Sequence, residues 1–177
     1  MTATAAWSFP LALADIRHAT KTLRLIADEV VRARIAGELG LEALKCLDAE
    51  LIVEPWLDGI DIRGRVRAVA TRTCGVSLDA FDETVDEPLS VRVSPRGSPN
   101  APLSAEGEFA LDPMADDPPE EARDGTVDLC ALVVEHLTLA LDPFPRKPGA
   151  VFEQPAARRL QSPFAALAKL RPAPEVE

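Results

Sequence analysis

The feature of this sequence that most constrains its fold is a pair of alternating segments joined by Asp58-Gly59. Before this dipeptide, Ala49, Leu51 and Val53 recur at every second position. After it the alternation runs through residues 60–74, with one side formed by Ile60, Ile62, Gly64, Val66, Ala68 and Ala70. The other side carries Asp61, Arg63, Arg65, Arg67, Val69 and Thr71. Such alternation around an Asp-Gly pair predicts a long β-hairpin, in which Gly64 marks a bend or bulge.

Shorter alternating runs extend this sheet. Residues 21–27 and 81–93 have the two-residue period of strands, and residues 9–13 form a short extended piece. The connections between the longer runs are too short for helical crossovers, so an antiparallel meander is the simplest topology. We therefore expect an antiparallel meander or a partly closed, barrel-like sheet.

Two segments have the signals of helices that pack on a sheet. Residues 28–39 begin at a capping Asp28 and end before Gly40, and residues 129–141 begin at Asp128 and stop before Pro143. In the first helix we expect one side to carry Val30, Val31, Ile35 and Leu39. A short third helix is predicted at residues 162–171. Together these elements predict a single α+β domain over residues 1–177.

The charge of the chain is unevenly distributed. The net charge is −10, and nine of the 29 acidic residues lie between Glu106 and Asp128, where Arg123 is the one basic residue. We expect residues 95–125 to be an acidic, proline-rich mobile loop with one short strand near residues 108–111. The overall charge argues against a general nucleic-acid binder, but it leaves room for a local basic face.

Cysteines, histidines and glycines give little support for catalysis. Cys46, Cys74 and Cys130 are widely spaced, which is typical of reduced thiols in a cytosol, and His18 and His136 accompany no nucleophile motif. The sequence has no phosphate-binding glycine motif, no leader-like start and no long apolar span. We expect a cytoplasmic protein that is not an enzyme, has no cofactor or metal and does not bind membranes.

Four arginines form the one candidate binding surface that the residues themselves suggest. Arg63, Arg65 and Arg67 share a strand face at spacings of about 7 Å, and Arg92 lies on a neighbouring strand. Guanidinium groups spaced in this way can track phosphates. An ordinary solvated sheet face is the alternative, and the absence of an interleaved aromatic residue gives little support to base stacking. We call these four residues the arginine stripe.

A proline-rich arm, residues 142–161, follows the second long helix with the sequence DPFPRKPGA. It is accompanied by four other motifs: Glu135-His136 before it, the TCGVSLDAF segment at residues 73–81, the WSFPLALADI start and the SPFAALAKL tail. With these motifs the chain resembles the YceD family, known as the large ribosomal RNA subunit accumulation protein, in its alphaproteobacterial form. Many members of that family carry Cys-x-x-Cys where this chain has Cys74-Gly75-Val76-Ser77, and a serine is a poor zinc ligand.

The resemblance implies a non-enzymatic factor that supports synthesis, processing or accumulation of 23S ribosomal RNA. Its partner would be 23S rRNA or a pre-50S particle; a large-subunit ribosomal protein or an rRNA-processing enzyme is the alternative partner. The recurrence of the arm and tail in the family suggests a docking role for Phe144, Arg146, Lys147, Pro163 and Phe164. The competing interpretation is that Phe144 and Phe164 pack against the protein's own sheet.

Overall fold

A computed structural model describes residues 7–100 and 118–152 of the chain. Its main body is a five-stranded sheet in the order β2-β3-β4-β5-β6, beside a two-stranded sheet of β1 and β7. The strands are β1 Pro10–Ala12, β2 Lys21–Ile26, β3 Ala43–Trp56, β4 Gly59–Thr73, β5 Ala80–Ser94, β6 Glu120–Glu121 and β7 Thr126–Asp128. The helices are α1 Glu29–Glu38, α2 Leu129–Ala140 and a 3-10 turn at Leu13–Ile16.

The α+β class and the antiparallel meander are confirmed. Strands β2 to β5 pair in chain order and antiparallel, and the sheet stays open rather than closing as a barrel. The two-residue strand β6, which the sequence did not predict, joins β5 in parallel. The short strand expected at residues 108–111 and the helix expected at residues 162–171 lie outside the described residues.

The long hairpin forms as predicted, but its turn lies one residue earlier than the Asp-Gly signal indicates. Trp56 pairs with Gly59, so Leu57 and Asp58 make the turn, and Leu57 adopts a φ of 50°. Gly59 is needed for another reason: a Cβ there would lie 2.0 Å from the carbonyl oxygen of Val93. The glycine therefore permits β5 to approach the hairpin closely.

Gly64 also permits a close approach and does not mark the predicted bulge. It pairs regularly with Leu51, and the register shift between β3 and β4 falls instead between Leu44 and Cys46. A Cβ on Gly64 would lie 2.1 Å from the carbonyl oxygen of Glu50. The prediction of a bulge at Gly64 is wrong, because a glycine within a strand is compatible either with a bulge or with a close backbone contact.

Both long helices begin at the predicted aspartates. The Asp28 carboxylate accepts a hydrogen bond from the Val31 amide at 2.8 Å, and Gly40, just past the end of α1, has a φ of 66°. The predicted apolar side of α1 is partly wrong, because Val30 is 68% exposed while Ala36 is buried. Helix α2 buries Leu129, Cys130, Leu132, Val133 and Leu137.

The core lies between one face of the sheet and a layer formed by α2 and the 3-10 turn, with α1 against β3. Alternate residues of β3, β4 and β5 fill it; the innermost include Leu47, Leu51, Val53, Ile60, Ile62, Val66, Leu89 and Val93. No helix or strand among the described residues covers the opposite face of the sheet, which we call the open face. None of the helices within residues 7–100 and 118–152 has the length and apolar character needed to span a membrane.

The close approach at Gly64 makes a stability prediction. We expect Gly64→Ala to lower the free energy of unfolding by about 1–3 kcal/mol, because β3 must shift to accommodate the new methyl group. Gly37→Ala is the matched control: a Cβ there meets nothing within 4 Å, and alanine favours helix by about 0.5–1 kcal/mol. Urea unfolding of both variants measures the effects. Equal stability of Gly64→Ala and the native chain would contradict the packing described for this position.

Candidate functional site

The open face of the sheet carries the arginine stripe. Arg63, Arg65 and Arg67 alternate along β4 with buried Ile62 and Val66 and half-buried Gly64. The three arginine side chains are 60%, 51% and 47% exposed. Arg92 lies on β5 directly opposite Asp61 of β4. The structure thus places all four arginines on one face of two adjacent strands.

Carboxylates from both neighbouring strands interleave with these arginines. Arg67 lies between Asp48 and Asp86 in the register, and Arg65 lies opposite Glu50. The Arg65 Nε–Asp86 Oδ1 distance is 2.8 Å, whereas Arg67 is 3.9 Å from oxygens of both Glu50 and Asp86. The hydrogen bond from Arg65 lowers the pKa of Asp86. The stripe is therefore a ladder of mixed charge and not a uniformly basic surface.

Asp61 differs from its predicted position on a solvated face, because it is only 5% exposed. One carboxylate oxygen forms an ion pair with Arg63, and the other, Oδ1, has no hydrogen-bond partner in the described residues. A buried carboxylate is costly unless it is paired. Asp61 thereby fixes Arg63 at the end of the stripe nearest the hairpin turn.

An aromatic residue that sequence reasoning missed joins the stripe. The guanidinium carbon of Arg92 lies 5.4 Å from the centroid of the Trp56 ring, which is within the range of a cation–π contact. The half-buried Trp56 ends β3 beside the turn, so it reaches β5 only across the intervening end of β4. The hairpin signal was present in the sequence, but the register of β5 against β4 was not.

The first part of the arm is attached to the far end of β4. The Pro145 carbonyl accepts a hydrogen bond from the Gly75 amide at 2.9 Å, and the Asp142 carbonyl accepts one from Arg72 at 2.6 Å. Phe144 is 77% exposed, so the attachment uses backbone and polar groups and not this ring.

The predicted docking residues have different environments. The Lys147 ammonium group pairs with Asp79 at 3.2 Å, while Arg146 is exposed. Pro163 and Phe164 lie outside the described residues. The arm and the Trp56–Arg92 contact lie at opposite ends of β4, so the structure does not bring the two predicted surfaces together.

Cys74 lies in the turn between β4 and β5, with its sulfur enclosed by hydrogen-bond donors. The amides of Val76, Ser77 and Lys147 donate to Sγ at 3.3–3.4 Å, and the residue is fully buried. Hydrogen bonds from the Ser77 side chain, the Ser77 amide and the Lys147 amide lower the pKa of Cys74 to about 6, against a smaller opposing effect of desolvation. Ser77, at the position of the second cysteine in Cys-x-x-Cys, thus supports a thiolate.

In the parts of the chain that the structure describes, no three His, Cys, Asp or Glu side chains are placed to hold a metal ion. The described residues define an α+β protein whose open, mostly antiparallel sheet presents an arginine-rich face. Comparisons of the chain with models of protein families, with curated proteins and with solved structures found no match. The likeness to the YceD family therefore remains a hypothesis that rests on the sequence motifs.

The environment of Cys74 predicts a pH-dependent stability. Because its folded pKa of about 6 lies below the usual value of about 8.5, the thiolate stabilises the fold fully above the usual value. This stabilisation is lost as the pH falls from about 8.5 to about 6. We expect the native chain to lose free energy of unfolding over this interval relative to Cys74→Ala.

Ultraviolet absorbance of the thiolate provides a direct measurement of the same ionisation. We expect a titration near pH 6 that disappears in Cys74→Ala and moves to higher pH in Ser77→Ala. Cys130 is the internal control, because burial, and secondarily the charge of Asp128, raise its pKa to about 12. A native titration no different from that of free cysteine would refute the described sulfur environment.

Proposed function

We propose that the protein is a non-enzymatic, cytoplasmic ribosome-biogenesis factor that supports synthesis, processing or accumulation of 23S ribosomal RNA. It acts by binding 23S rRNA or a pre-50S particle through the arginine stripe. The motif resemblance supplies the biological process, and the geometry of the sheet supplies the surface. The observation that carries the proposal is the convergence of Arg63, Arg65, Arg67 and Arg92 with Trp56 on one open sheet face.

The ion pairs on this face are compatible with RNA binding. Exposed pairs such as Arg65–Asp86 contribute little to stability, so a phosphate can replace the carboxylate at small cost. Guanidinium groups bind phosphate oxygens in a bidentate manner, which strengthens such an exchange. The interspersed carboxylates and the net charge of −10 oppose indiscriminate attachment to nucleic acid. The face is therefore suited to a selective contact of limited extent.

A charge-neutralising variant tests this surface. We expect the triple variant Arg63→Gln, Arg65→Gln and Arg67→Gln to lower the cellular level of 23S rRNA and to reduce crosslinking of the protein to RNA, because phosphate contacts are lost. The matched control changes three exposed arginines away from the stripe, Arg17, Arg34 and Arg96, to glutamine. This control has the same net charge as the stripe variant and should retain normal 23S rRNA levels and RNA crosslinking. Normal 23S rRNA levels and normal crosslinking in the stripe variant would refute the proposal that the arginine stripe binds RNA.

A second function is favoured by a different observation. Phe144 is 77% exposed on a segment that hydrogen bonds hold against the turn after β4, which presents an aromatic ring beside Arg146 on a fixed support. Rigid presentation of an aromatic and an arginine is typical of protein-binding hot spots. The protein would then be an adaptor for a large-subunit ribosomal protein or an rRNA-processing enzyme, without touching RNA. Lys147, Pro163 and Phe164 complete the docking set predicted from the sequence.

Co-purification with and without ribonuclease separates these functions. An adaptor retains its partner after RNA is digested, and the double variant Phe144→Ser, Arg146→Ser should lose it. The control Leu78→Ser removes a side chain of similar exposure, 77%, from the neighbouring turn. Loss of every partner on ribonuclease treatment would exclude the adaptor function.

A further inference from the structure

Within the described part of the chain, one edge of strand β5 is almost entirely unpaired. The strand pairs with β4 from Ala80 to Val93, but on its other side the described chain pairs only with Val93 and Ser94, through β6. The remaining edge, residues 80–91, faces α2 and residues 142–148 across a depression. We call this depression the β5 groove. An unpaired edge of this length offers a row of backbone donors and acceptors to another chain.

The direction of the backbone groups follows from the contact with β6. The Ser94 carbonyl accepts a hydrogen bond from the Ala122 amide at 2.8 Å, so Ser94 directs its polar groups toward the open side. The β4–β5 register has no shift. Because a strand has a period of two residues, the backbone N–H and C=O groups of Asp82, Thr84, Asp86 and Ser90 also point away from β4. Pro88 belongs to this set and has no N–H to offer. It divides the edge into two short segments.

Two cavities lie along the groove. One, of about 400 Å³, lies between β5 at residues 90–92 and α2 at Glu135, His136 and Leu139. The other, of about 260 Å³, lies between β5 at residues 81–84 and the arm at Asp142, Pro145 and Arg146. Leu139 is 77% exposed and forms an apolar ledge beside the edge strand. An edge strand facing a helix across a gap is the arrangement in which peptides add a strand to a sheet.

The charges around the groove favour a basic occupant. Glu87, on β5, and Glu120 and Glu135, at the larger cavity, make no ion pair with the described residues. Burial, and secondarily the charge of Glu135, raise the pKa of Glu120. A nearby cation would favour the charged carboxylate and so lower this pKa. Arg92 and Arg146 also line the two cavities, but the carboxylates outnumber them.

We infer that the β5 groove binds an extended, basic peptide segment of a partner protein, which adds a strand to β5 along Asp82 to Asp86. The backbone of the peptide pairs with the outward groups of Asp82, Thr84 and Asp86. Beyond Pro88 the peptide continues without strand pairing into the larger cavity, where its apolar side chains contact Leu139 and its cations face Glu120 and Glu135. Pro88 limits the added strand to a few residues and blocks edge-to-edge association of the protein with itself. This site shares only Arg92, at the larger cavity, with the arginine stripe, and it does not depend on RNA contact.

A fluorescent peptide of about seven residues with alternating lysine and valine is a suitable probe. We expect anisotropy titration to show binding, and Thr84→Pro to weaken it about tenfold or more, because the peptide loses an edge hydrogen bond and meets the proline ring. The tolerated Pro88 has the same orientation, so Thr84→Pro should keep its pairing with β4. The control Thr84→Val keeps the N–H and should bind like the native chain. Circular dichroism and thermal unfolding check the fold of both.

Charge variants test the chemistry of the occupant. A peptide with glutamate in place of lysine should bind at least about tenfold more weakly, and Glu120→Lys with Glu135→Lys should weaken the lysine peptide. The control Glu38→Lys changes an exposed glutamate of α1 and should have no such effect. Equal affinity for the two peptides, or for the native chain and a folded Thr84→Pro variant, would overturn the inference.

Amide exchange of the native protein tests the site without any substitution. We expect the lysine peptide to protect the amides of Thr84 and Asp86, while those of Val85 and Glu87, which point to β4, change little. Absence of selective protection at Thr84 and Asp86 would also overturn the inference. If the arginine-stripe variant loses 23S rRNA but retains peptide binding, the two surfaces act independently. If the native protein crosslinks to RNA but fails to bind the peptide, the groove proposal fails alone.

Discussion

The structure depends on the pairing of β4 with a strand on each side over nearly its whole length. Thirteen register partners on β3 and fourteen on β5 hold it, and the glycines at positions 59 and 64 permit the neighbouring backbones to come close. This pairing does two things at once. It buries one side of β4 beneath α2, and it aligns the arginines of the other side with residues from both neighbours. The core and the candidate RNA surface are consequently two faces of the same hydrogen-bonded strand.

The arrangement of charge on the open face shows why composition alone is a poor guide to binding. The chain is strongly acidic, yet four of its arginines lie together on this face, where Glu50 and Asp86 hold Arg65 and Arg67 in partly ordered positions. Each exposed pair contributes little to stability, so the carboxylates chiefly restrict where the guanidinium groups point. A phosphate that arrives there meets side chains already near a defined geometry, which lowers the entropic cost of ordering them.

Local signals in the sequence were sufficient for the long strands, both helix caps and the order of the meander. They were insufficient wherever residues distant in the chain meet. The contact of Trp56 with Arg92, the burial of Asp61 and the attachment of the arm at Gly75 all depend on strand register or on the path of the chain after α2. The role of Gly64 was ambiguous for the same reason, because its constraint comes from the backbone of a neighbouring strand.

The Asp128 carboxylate links the N-terminal segment to the start of α2. It caps α2 through the amides of Cys130 and Ala131 and also accepts hydrogen bonds from Ser8 and the Phe9 amide, 119 positions earlier. Closing so long a loop is entropically costly and gains little until most of the sheet has formed. Docking of the N-terminal segment and initiation of α2 should therefore occur together and late in folding. Until then, the apolar inner face of the hairpin remains exposed to solvent.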